Sequence, residues 1–337
     1  LLEFMSKLFN EKNILFFLSF FLIIFVLINF THNKYPKFKN IDESSYRLLN
    51  NFEFKSNINS ILVSDLTYER FLTKKCATTG DMHDRHKVRW VKAFFLKNVF
   101  QFTSKINKNL PYYVNIILHS LIIFLTLIIL NKTLNLKKKY IIFYLLFVTF
   151  IFQNYLGEYS FSIFEMFFLA LALYASKIKN IFLFFGASLL AVLNRESGFI
   201  LLFTWLIFNE DYKKFLIISL VTLTIFIFLN LNTINCMINP KFFVPLEHQS
   251  GQINLSDLSS ISFFPLMKLL LINYLIPFGI IAYNVIKNKI TNKFFILISF
   301  IYFLIFLIAI PAHHMAVKLI LLPLIILSFN LPLKKFN

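Results

Sequence analysis

The sequence predicts an all-α polytopic membrane protein, a single bundle of about ten transmembrane helices. Three observations predict it: the apolar composition, the apolar segments and the distribution of lysine between those segments. Hydrophobic residues make up 58% of the 337 residues, and the mean hydropathy is +0.70. Soluble domains are about 45–50% apolar. Since no tandem repeat or Gly/Ser-rich linker divides the chain, residues 1–337 are interpreted as one transmembrane domain.

Seven apolar segments approach or reach the roughly 20 residues that an α-helix needs to cross about 30 Å of hydrocarbon. They are Ile14–Phe30, Pro111–Leu130, Tyr140–Phe152, Phe215–Leu231, Phe264–Ile286, Phe294–Ala312 and Met315–Leu333. Three shorter segments are Phe161–Ala175, Ile181–Leu193 and Gly198–Phe208. The first segment follows Lys7 and Lys12 but lacks a small-x-small cleavage site. This pattern predicts a retained anchor rather than a signal peptide.

The net charge of +18 is distributed unevenly among the junctions between segments. Alternate junctions hold Lys7, Lys12, Lys132, Lys137, Lys138, Lys139, Lys177, Lys179, Lys213, Lys214, Lys287, Lys289, Lys293, Lys334 and Lys335. The opposite short loops, Gln153–Ser160, Arg195–Ser197 and His313–His314, contribute only Arg195. Because cytoplasmic loops retain Lys and Arg, both termini are predicted to be cytoplasmic. A nucleic-acid-binding stripe would need one continuous basic face, so a nucleic-acid partner is not expected.

Residues 31–109 are predicted to form the first extracytoplasmic loop. A loop longer than about 60 residues escapes the positive-inside rule, so its basic residues do not contradict the topology. Within it, Arg89–Ile106 mixes aromatic and basic side chains. This pattern predicts an amphipathic helix, which lies either in the lipid headgroup region or as a cap on the bundle. Cys76 and Cys236 both fall on the predicted outer side, where they either pair or remain thiols.

Ionisable groups at the edge of a membrane are costly, so they mark candidate functional sites. The predicted outer side holds Asp42, Glu43, Glu158, Glu165, Arg195, Glu196, His313, His314 and Lys318. Each also has a structural interpretation. Asp42 is a suitable helix N-cap, Glu165 could pair with a lysine or bond another helix, and Arg195 could mark a hairpin tip. Their shared side and depth favour a functional site.

Five short motifs follow one another between residues 14 and 325. They are Asp42-Glu43-Ser44-Ser45-Tyr46, the run Tyr113–His119, Glu165 before Met166–Tyr174, the run Leu193–Gly198, and Lys318 with Pro323. In this order they resemble the GT-C superfamily of membrane glycosyltransferases. The similar branch contains protein O-mannosyltransferases and the lipid A aminoarabinose transferase. The late basic residue is Lys318, preceded by two histidines, where that family often has arginine.

The resemblance implies transfer of a sugar from a polyprenyl-phosphate donor to an acceptor at the outer face of the cytoplasmic membrane. The acidic residues implied in catalysis are Asp42, Glu43, Glu158 and Glu165. The residues implied in binding the donor phosphate are Arg195, Lys318, His313 and His314. Such transfer needs a base for the acceptor proton and cations for the departing phosphate. Asp42 and Glu158 would also suit Mg²⁺ or Mn²⁺ as hard oxygen ligands.

Two other classes of protein fit the same composition. A transporter or flippase for a lipid-linked solute would have related halves and broken helices at the bilayer centre. A non-catalytic membrane assembly protein would carry its outer acids as ordinary surface. Convergence of Asp42, Glu158 and Arg195 on one outer cavity would favour the transferase. In every case membrane lipid is a partner, and the transferase adds a polyprenyl-phosphate-linked sugar.

Overall fold

The computed structural model describes residues 16, 18–25, 97–106, 110–155, 160–238, 276–288, 290, 292–308 and 321–330. Every regular element in these ranges is a helix, as the sequence predicts. The α-helices are α1 (Lys97–Ile106), α2 (Leu110–Leu134), α3 (Lys138–Tyr155), α4 (Ser160–Lys177), α5 (Ile181–Asn194), α6 (Thr204–Phe208), α7 (Tyr212–Ile238), α8 (Ile276–Lys287), α9 (Lys293–Ile308) and α10 (Leu321–Asn330). A 3₁₀ helix, Glu196–Phe203, directly precedes α6.

Two of the described helices are long and apolar enough to cross a membrane, against about ten predicted spans. These candidate spans are Ile117–Leu134 within α2 and Tyr212–Leu231 within α7. Only 22% of the second span is buried inside the protein. Its exposed side chains include Leu216, Leu220 and Phe228. A helix from the core of a soluble protein would be mostly buried, so this exposed apolar surface gives weak support to a membrane protein.

Helix α4 lies at the centre of the described bundle. It packs against α2, α5, α6, α10 and the 3₁₀ helix. Ala170, Ala172 and Ala175 are fully buried along it, and such small side chains let neighbouring helices approach closely. The sequence gives Phe161–Ala175 as one of the three shorter segments, yet the observed helix is longer and more central than most. Tertiary packing, rather than hydropathy, gives it that position.

Helix α5 and the following 3₁₀–α6 segment form a short hairpin. Asn180 caps α5 by accepting a hydrogen bond from the backbone N–H of Leu183, at 3.0 Å. At about 1.5 Å per residue, α5 is about 21 Å long. Since a 3₁₀ helix rises about 2.0 Å per residue, the returning arm is about 24 Å long. Both arms are shorter than the roughly 30 Å of hydrocarbon that a membrane-spanning helix crosses.

Polar side chains cross-link the end of the bundle where α4 finishes. Ser176 donates a hydrogen bond from Oγ to the backbone oxygen of Thr204, at 3.0 Å. Asn209 donates from Nδ2 to the backbone oxygen of Ser176, at 2.8 Å. Asn292 donates from Nδ2 to the backbone oxygen of Ile207, at 2.7 Å. These bonds fix the ends of α4, α6 and α9 relative to one another.

Helix α1 confirms a helix in the second half of Arg89–Ile106, since residues 89–96 lie outside the described ranges. It packs against α2. Val99 contacts the hydrophobic core and Thr103 is buried, whereas Phe102 and Ile106 are exposed. One face therefore packs on α2, as the bundle-cap alternative predicts. Placement of the exposed face in the lipid headgroup region stays a prediction.

Candidate functional site

An ion pair lies at the break between α5 and the 3₁₀ helix. The Nη1 atom of Arg195 is 3.4 Å from Oε2 of Glu165. Ser197 donates a hydrogen bond from Oγ to Oε1 of the same carboxylate. The Glu165 side chain is 1% exposed, whereas that of Arg195 is 22% exposed. The carboxylate is therefore enclosed, and the guanidinium is the charged group that a ligand can reach.

Glu165 projects from the first half of α4, one to two turns from the start of the helix, as the sequence predicts. Its neighbours Phe164 and Met166 are buried. Burying an ionised carboxylate costs several kcal/mol unless partners compensate it. Arg195 and Ser197 supply that compensation from the hairpin tip. The structural interpretation of Glu165 as half of an ion pair holds, with Arg195 rather than a lysine as its partner.

The helix break brings Arg195 and Ser197 to the same carboxylate. Residues two positions apart in an α-helix do not face the same side. Arg195 has extended backbone, and its N–H donates to the oxygen of Ala191 at 2.9 Å. Its own oxygen accepts a hydrogen bond from the N–H of Gly198, at 2.8 Å. This local geometry ends α5 and starts the 3₁₀ helix with both side chains directed to Glu165.

Gly198 allows the 3₁₀ helix to pack on α5. A Cβ at this position would lie 2.3 Å from the carbonyl carbon of Ala191 and 2.4 Å from its oxygen. Both are backbone atoms, so no rotamer change would relieve the clash. Helix packing therefore requires the glycine in the Asn194–Gly198 run, independently of catalysis. The close approach of the two backbones leaves Ser197 within hydrogen-bonding distance of Glu165.

Two further buried polar side chains lie on helices near this part of α4. Tyr302 of α9 is buried and lies close enough to interact electrostatically with both Glu165 and Arg195. His119 of α2 is 8% exposed, and its ring lies 6.4 Å from that of Phe164, measured between centroids. Its Nε2 has no hydrogen-bond partner in the part of the chain that the structure describes. Side chains from α4, α9 and the hairpin tip therefore meet around Glu165.

Two of the predicted site residues, Glu165 and Arg195, have side chains that the structure describes. The structure brings Glu165 and Arg195 together, and these two predicted residues had no common sequence motif. Outside the described residues lie Asp42, Glu43, Glu158, His313, His314 and Lys318. The backbone of Glu196 begins the 3₁₀ helix, and its side chain lies outside the description.

Sequence reasoning missed the roles of Ser197 and Tyr302. Ser197 had a signal, because it belongs to the polar run between two apolar segments. Tyr302 had none, since it is a single tyrosine within an apolar helix. Its position depends on how α9 packs against the 3₁₀–α6 arm of the hairpin. Only the tertiary structure supplies that information.

The described residues contain no group of three or more His, Cys, Asp or Glu side chains that could hold a metal ion. Around Glu165, the carboxylate oxygens contact a guanidinium and a hydroxyl. Such partners compete with a cation for the same oxygens. Asp42 and Glu158, the predicted Mg²⁺ or Mn²⁺ ligands, lie outside the described ranges, and their role stays a prediction.

No protein-family model, curated protein or solved structure matches this chain. The likeness to membrane glycosyltransferases therefore rests on the five short motifs. The contact between Glu165 and Arg195 is a structural observation that does not depend on the resemblance. It joins two of the five motifs, because each residue belongs to a different one.

Proposed function

We propose that this protein is a membrane glycosyltransferase that moves a sugar from a polyprenyl-phosphate donor to an acceptor at the outer face of the cytoplasmic membrane. The observation that carries the proposal is the cluster of Glu165, Arg195 and Ser197. It sets a partly exposed cation at the tip of a short helical hairpin, beneath the expected membrane surface. A lipid-linked phosphate would reach this depth with its chain among the helices.

The membrane orientation has support from both sequence and packing. Lysine-bearing junctions follow α4 and α8 and precede α7 and α9. Residues of these junctions, including Lys179, Lys214 and Lys293, line one cavity, as expected if they share one side. Helix α5 runs from that end to Arg195, which is therefore at the opposite end. Under the positive-inside rule the lysine-rich end is cytoplasmic and Arg195 faces outward.

The two members of the ion pair have different roles in this proposal. Arginine remains protonated and can bind a phosphate through two parallel hydrogen bonds. Glu165 is enclosed, so it positions the guanidinium rather than contacting the donor. Charge-assisted hydrogen bonds are usually about 2.7–2.9 Å long. The separation of 3.4 Å is longer than that, so the ion pair does not use the full hydrogen-bonding capacity of the guanidinium.

In the proposed reaction, the acceptor hydroxyl oxygen forms a bond to the anomeric carbon of the sugar. The bond between that carbon and the phosphate oxygen breaks, and polyprenyl phosphate leaves. The acceptor proton passes to a carboxylate, for which Asp42 in the first outer loop is the proposed base and Glu43 and Glu158 are supporting acids. Arg195, together with Lys318, His313 and His314, would stabilise the negative charge on the departing phosphate.

One observation favours a second candidate, a transporter or flippase for a lipid-linked solute. The 3₁₀ helix has eight residues, whereas such helices rarely exceed 3–4. Interrupted helices at the binding site are typical of secondary transporters. A break near one end of the bundle, rather than its centre, agrees better with a site at a membrane face. The transferase is therefore the preferred proposal.

The decisive experiment incubates the purified protein with a panel of polyprenyl-phosphate sugars and candidate acceptors, scoring release of polyprenyl phosphate. We expect release with one donor, and weaker donor binding in Arg195→Lys and in Lys318→Ala. Lys132→Gln is the matched control, because Lys132 is exposed at the lysine-rich end. Movement of donor between vesicle leaflets without release would identify a flippase instead. Absence of both activities across the panel would overturn the proposal.

A further inference from the structure

Helices α5 and α7 pack against each other and run in the same direction. The first residues of both helices line the cavity at the lysine-rich end of the bundle. Farther along, Val192 of α5 and Phe226 of α7 form one buried apolar cluster. Side chains four positions apart in an α-helix share a face. The residues one turn earlier, Ser188 and Thr222, therefore lie on the same two facing surfaces.

The layer formed by Ser188 and Thr222 is polar and closed. Both side chains are fully buried. Among the described residues, neither Oγ of Ser188 nor Oγ1 of Thr222 has a hydrogen-bond partner, and the same is true of the buried Oγ of Ser219, three positions before Thr222. Buried hydroxyl groups are ordinarily hydrogen-bonded, and an unbonded one destabilises the packing that encloses it. The contact between α5 and α7 therefore has a weak layer.

Other buried threonines of this protein bond within their own helix. Thr126 donates from Oγ1 to the backbone oxygen of Ile122, at 2.8 Å, and Thr133 donates in the same way to Ile129, at 2.7 Å. Such bonds to the carbonyl four positions earlier are the usual solution for a threonine within a helix. Thr222 would need to rotate about χ1 to make one. Separation of α7 from α5 would give its side chain the room to do so.

Aromatic contacts hold the first turns of α7 more firmly than its second half. The ring centroid of Tyr212 is 6.0 Å from that of Phe294, and the centroid of Phe215 is 5.3 Å from that of Phe203. Over residues 223–231, by contrast, most side chains are exposed. A helix with few buried contacts in one half opens there at low cost. The start of α7 is therefore the pivot, and its second half is the part that moves.

Phe226 connects this second half of α7 to the hairpin beside Arg195. Its ring lies 5.2 Å from that of Phe199 in the 3₁₀ helix, between centroids, at 83°. It also belongs to one cluster with Val192, which lies one turn before Arg195 in α5. Phe226 therefore packs on both arms of the hairpin, close to the tip.

We infer that α7 is a gate, which pivots about its first turns and separates from the hairpin at the Ser188–Thr222 layer. In the closed state Phe226 covers the hairpin close to Arg195. In the open state the hydroxyl groups bond within their own helices, and the tip becomes accessible from the side. The gate is a property of helix packing and goes beyond sugar transfer; under the proposed function it would admit the lipid chain of the donor.

Thermal unfolding tests the hydroxyl layer. Ser188→Ala/Thr222→Val removes both hydroxyl groups with little change of shape, so the unfolding midpoint should rise. Thr126→Val is the matched control, because it removes a buried threonine hydroxyl that is hydrogen-bonded, and its midpoint should fall. Thr222→Val alone is the milder variant if the double variant does not fold. A fall in the midpoint of the folded layer variant would overturn the inference.

Distances between two nitroxide spin labels test the gate itself. Leu146→Cys on α3 and Phe228→Cys on α7 place the labels at exposed positions, in a background with Cys76 and Cys236 replaced by serine. With the full chain in lipid nanodiscs, we expect a short and a long distance. Ser188→Ala/Thr222→Val should lower the population of the long distance at least about tenfold, because closed packing no longer encloses unbonded hydroxyls.

Two results of the distance measurement would overturn the gate: a single distance, or equal populations with and without the two hydroxyl groups. The measurement needs no enzymatic activity. Two distances without release of polyprenyl phosphate would support the gate and contradict the transferase. Release with a single distance would support the transferase and overturn the gate.

Discussion

At the scale of single residues, the Glu165–Arg195 pair combines burial with charge. Removing one partner leaves the other uncompensated, whereas removing both leaves neither charge. We therefore expect Glu165→Gln and Arg195→Met each to destabilise the protein, and the double variant to lose less than the sum. A coupling energy of roughly 0.5–3 kcal/mol is typical of residues in one ion-pair network. Unfolding of the four proteins in detergent measures it, and additive effects would contradict a stabilising interaction between the two side chains.

Gly198 permits a second prediction at this scale. Gly198→Ala should destabilise the protein by about 1–3 kcal/mol, because overpacking forces backbone shifts and the new Cβ would meet Ala191. Gly186→Ala in α5 is the matched control, since a Cβ there meets nothing within 4 Å. Replacing a mid-helix glycine by alanine should stabilise the helix by roughly 0.5–1 kcal/mol. Thermal unfolding of both variants should therefore shift in opposite directions, and equal shifts would contradict the packing argument.

The third prediction concerns the proposed base, Asp42. Asp42→Asn retains size and hydrogen-bonding capacity but removes charge and basicity. Loss of a general base typically lowers the rate by about 10²–10⁴. We expect donor turnover to fall by that factor while expression and membrane insertion are retained. Turnover at the wild-type rate would leave Asp42 as a helix cap.

At the scale of elements, the Asp211 side chain caps the start of α7, so the stability of this helix start depends on pH. Hydrogen bonds from the Lys214 side chain and backbone N–H hold the pKa of Asp211 below its ordinary value of 3.8. Since the folded pKa is depressed, the stabilisation is present above pH 3.8 and is lost as the pH falls through the folded value. Between pH 5 and 3, wild type should therefore lose more thermal stability than Asp211→Asn. Parallel pH profiles would show that the cap contributes nothing.

The observed helices also show that hydropathy alone does not predict how long a helix is or how central its position in the bundle is. The apolar segment Phe161–Ala175 is short because polar residues flank it, yet α4 extends to Lys177 and occupies the centre. The sequence predicts two short apolar segments within Ile181–Phe208. In the structure they are the two arms of a hairpin that is interrupted at Arg195. Polar residues that end an apolar segment need not end a helix. They do mark where the helix reaches a break or a surface.

At the scale of the whole molecule, the lysine distribution predicts which loops share a side. Single cysteines at Lys137 and Asp65, in a background with Cys76 and Cys236 replaced by serine, test that orientation. A membrane-impermeant thiol reagent applied outside should label position 65 and leave position 137 protected. The reason is that translocating lysine-rich short loops is unfavourable, whereas long loops cross regardless of charge. The opposite labelling pattern would invert the topology and every site assignment based on it.

The sequence by itself determined the helical class, the positions of most described helices and the two charged residues of the ion pair, Glu165 in α4 and Arg195 at the hairpin tip. These features depend on local composition: apolar length sets helix extent, and lysine placement sets the side of each loop. Glu165 and Arg195 were identifiable because charge is rare in apolar surroundings. No local pattern could show that they contact each other across 30 positions of sequence.

Only the tertiary structure showed which residues contact one another. It assigned Arg195 to Glu165, added Ser197 and Tyr302, and explained Gly198 by its contact with Ala191. It also gathered three lysine-bearing junctions around one cavity. The physical reason is that partners are set by helix packing, which depends on side-chain shape at many distant positions together. Composition and periodicity report the environment of each residue, whereas packing alone specifies which residue it meets.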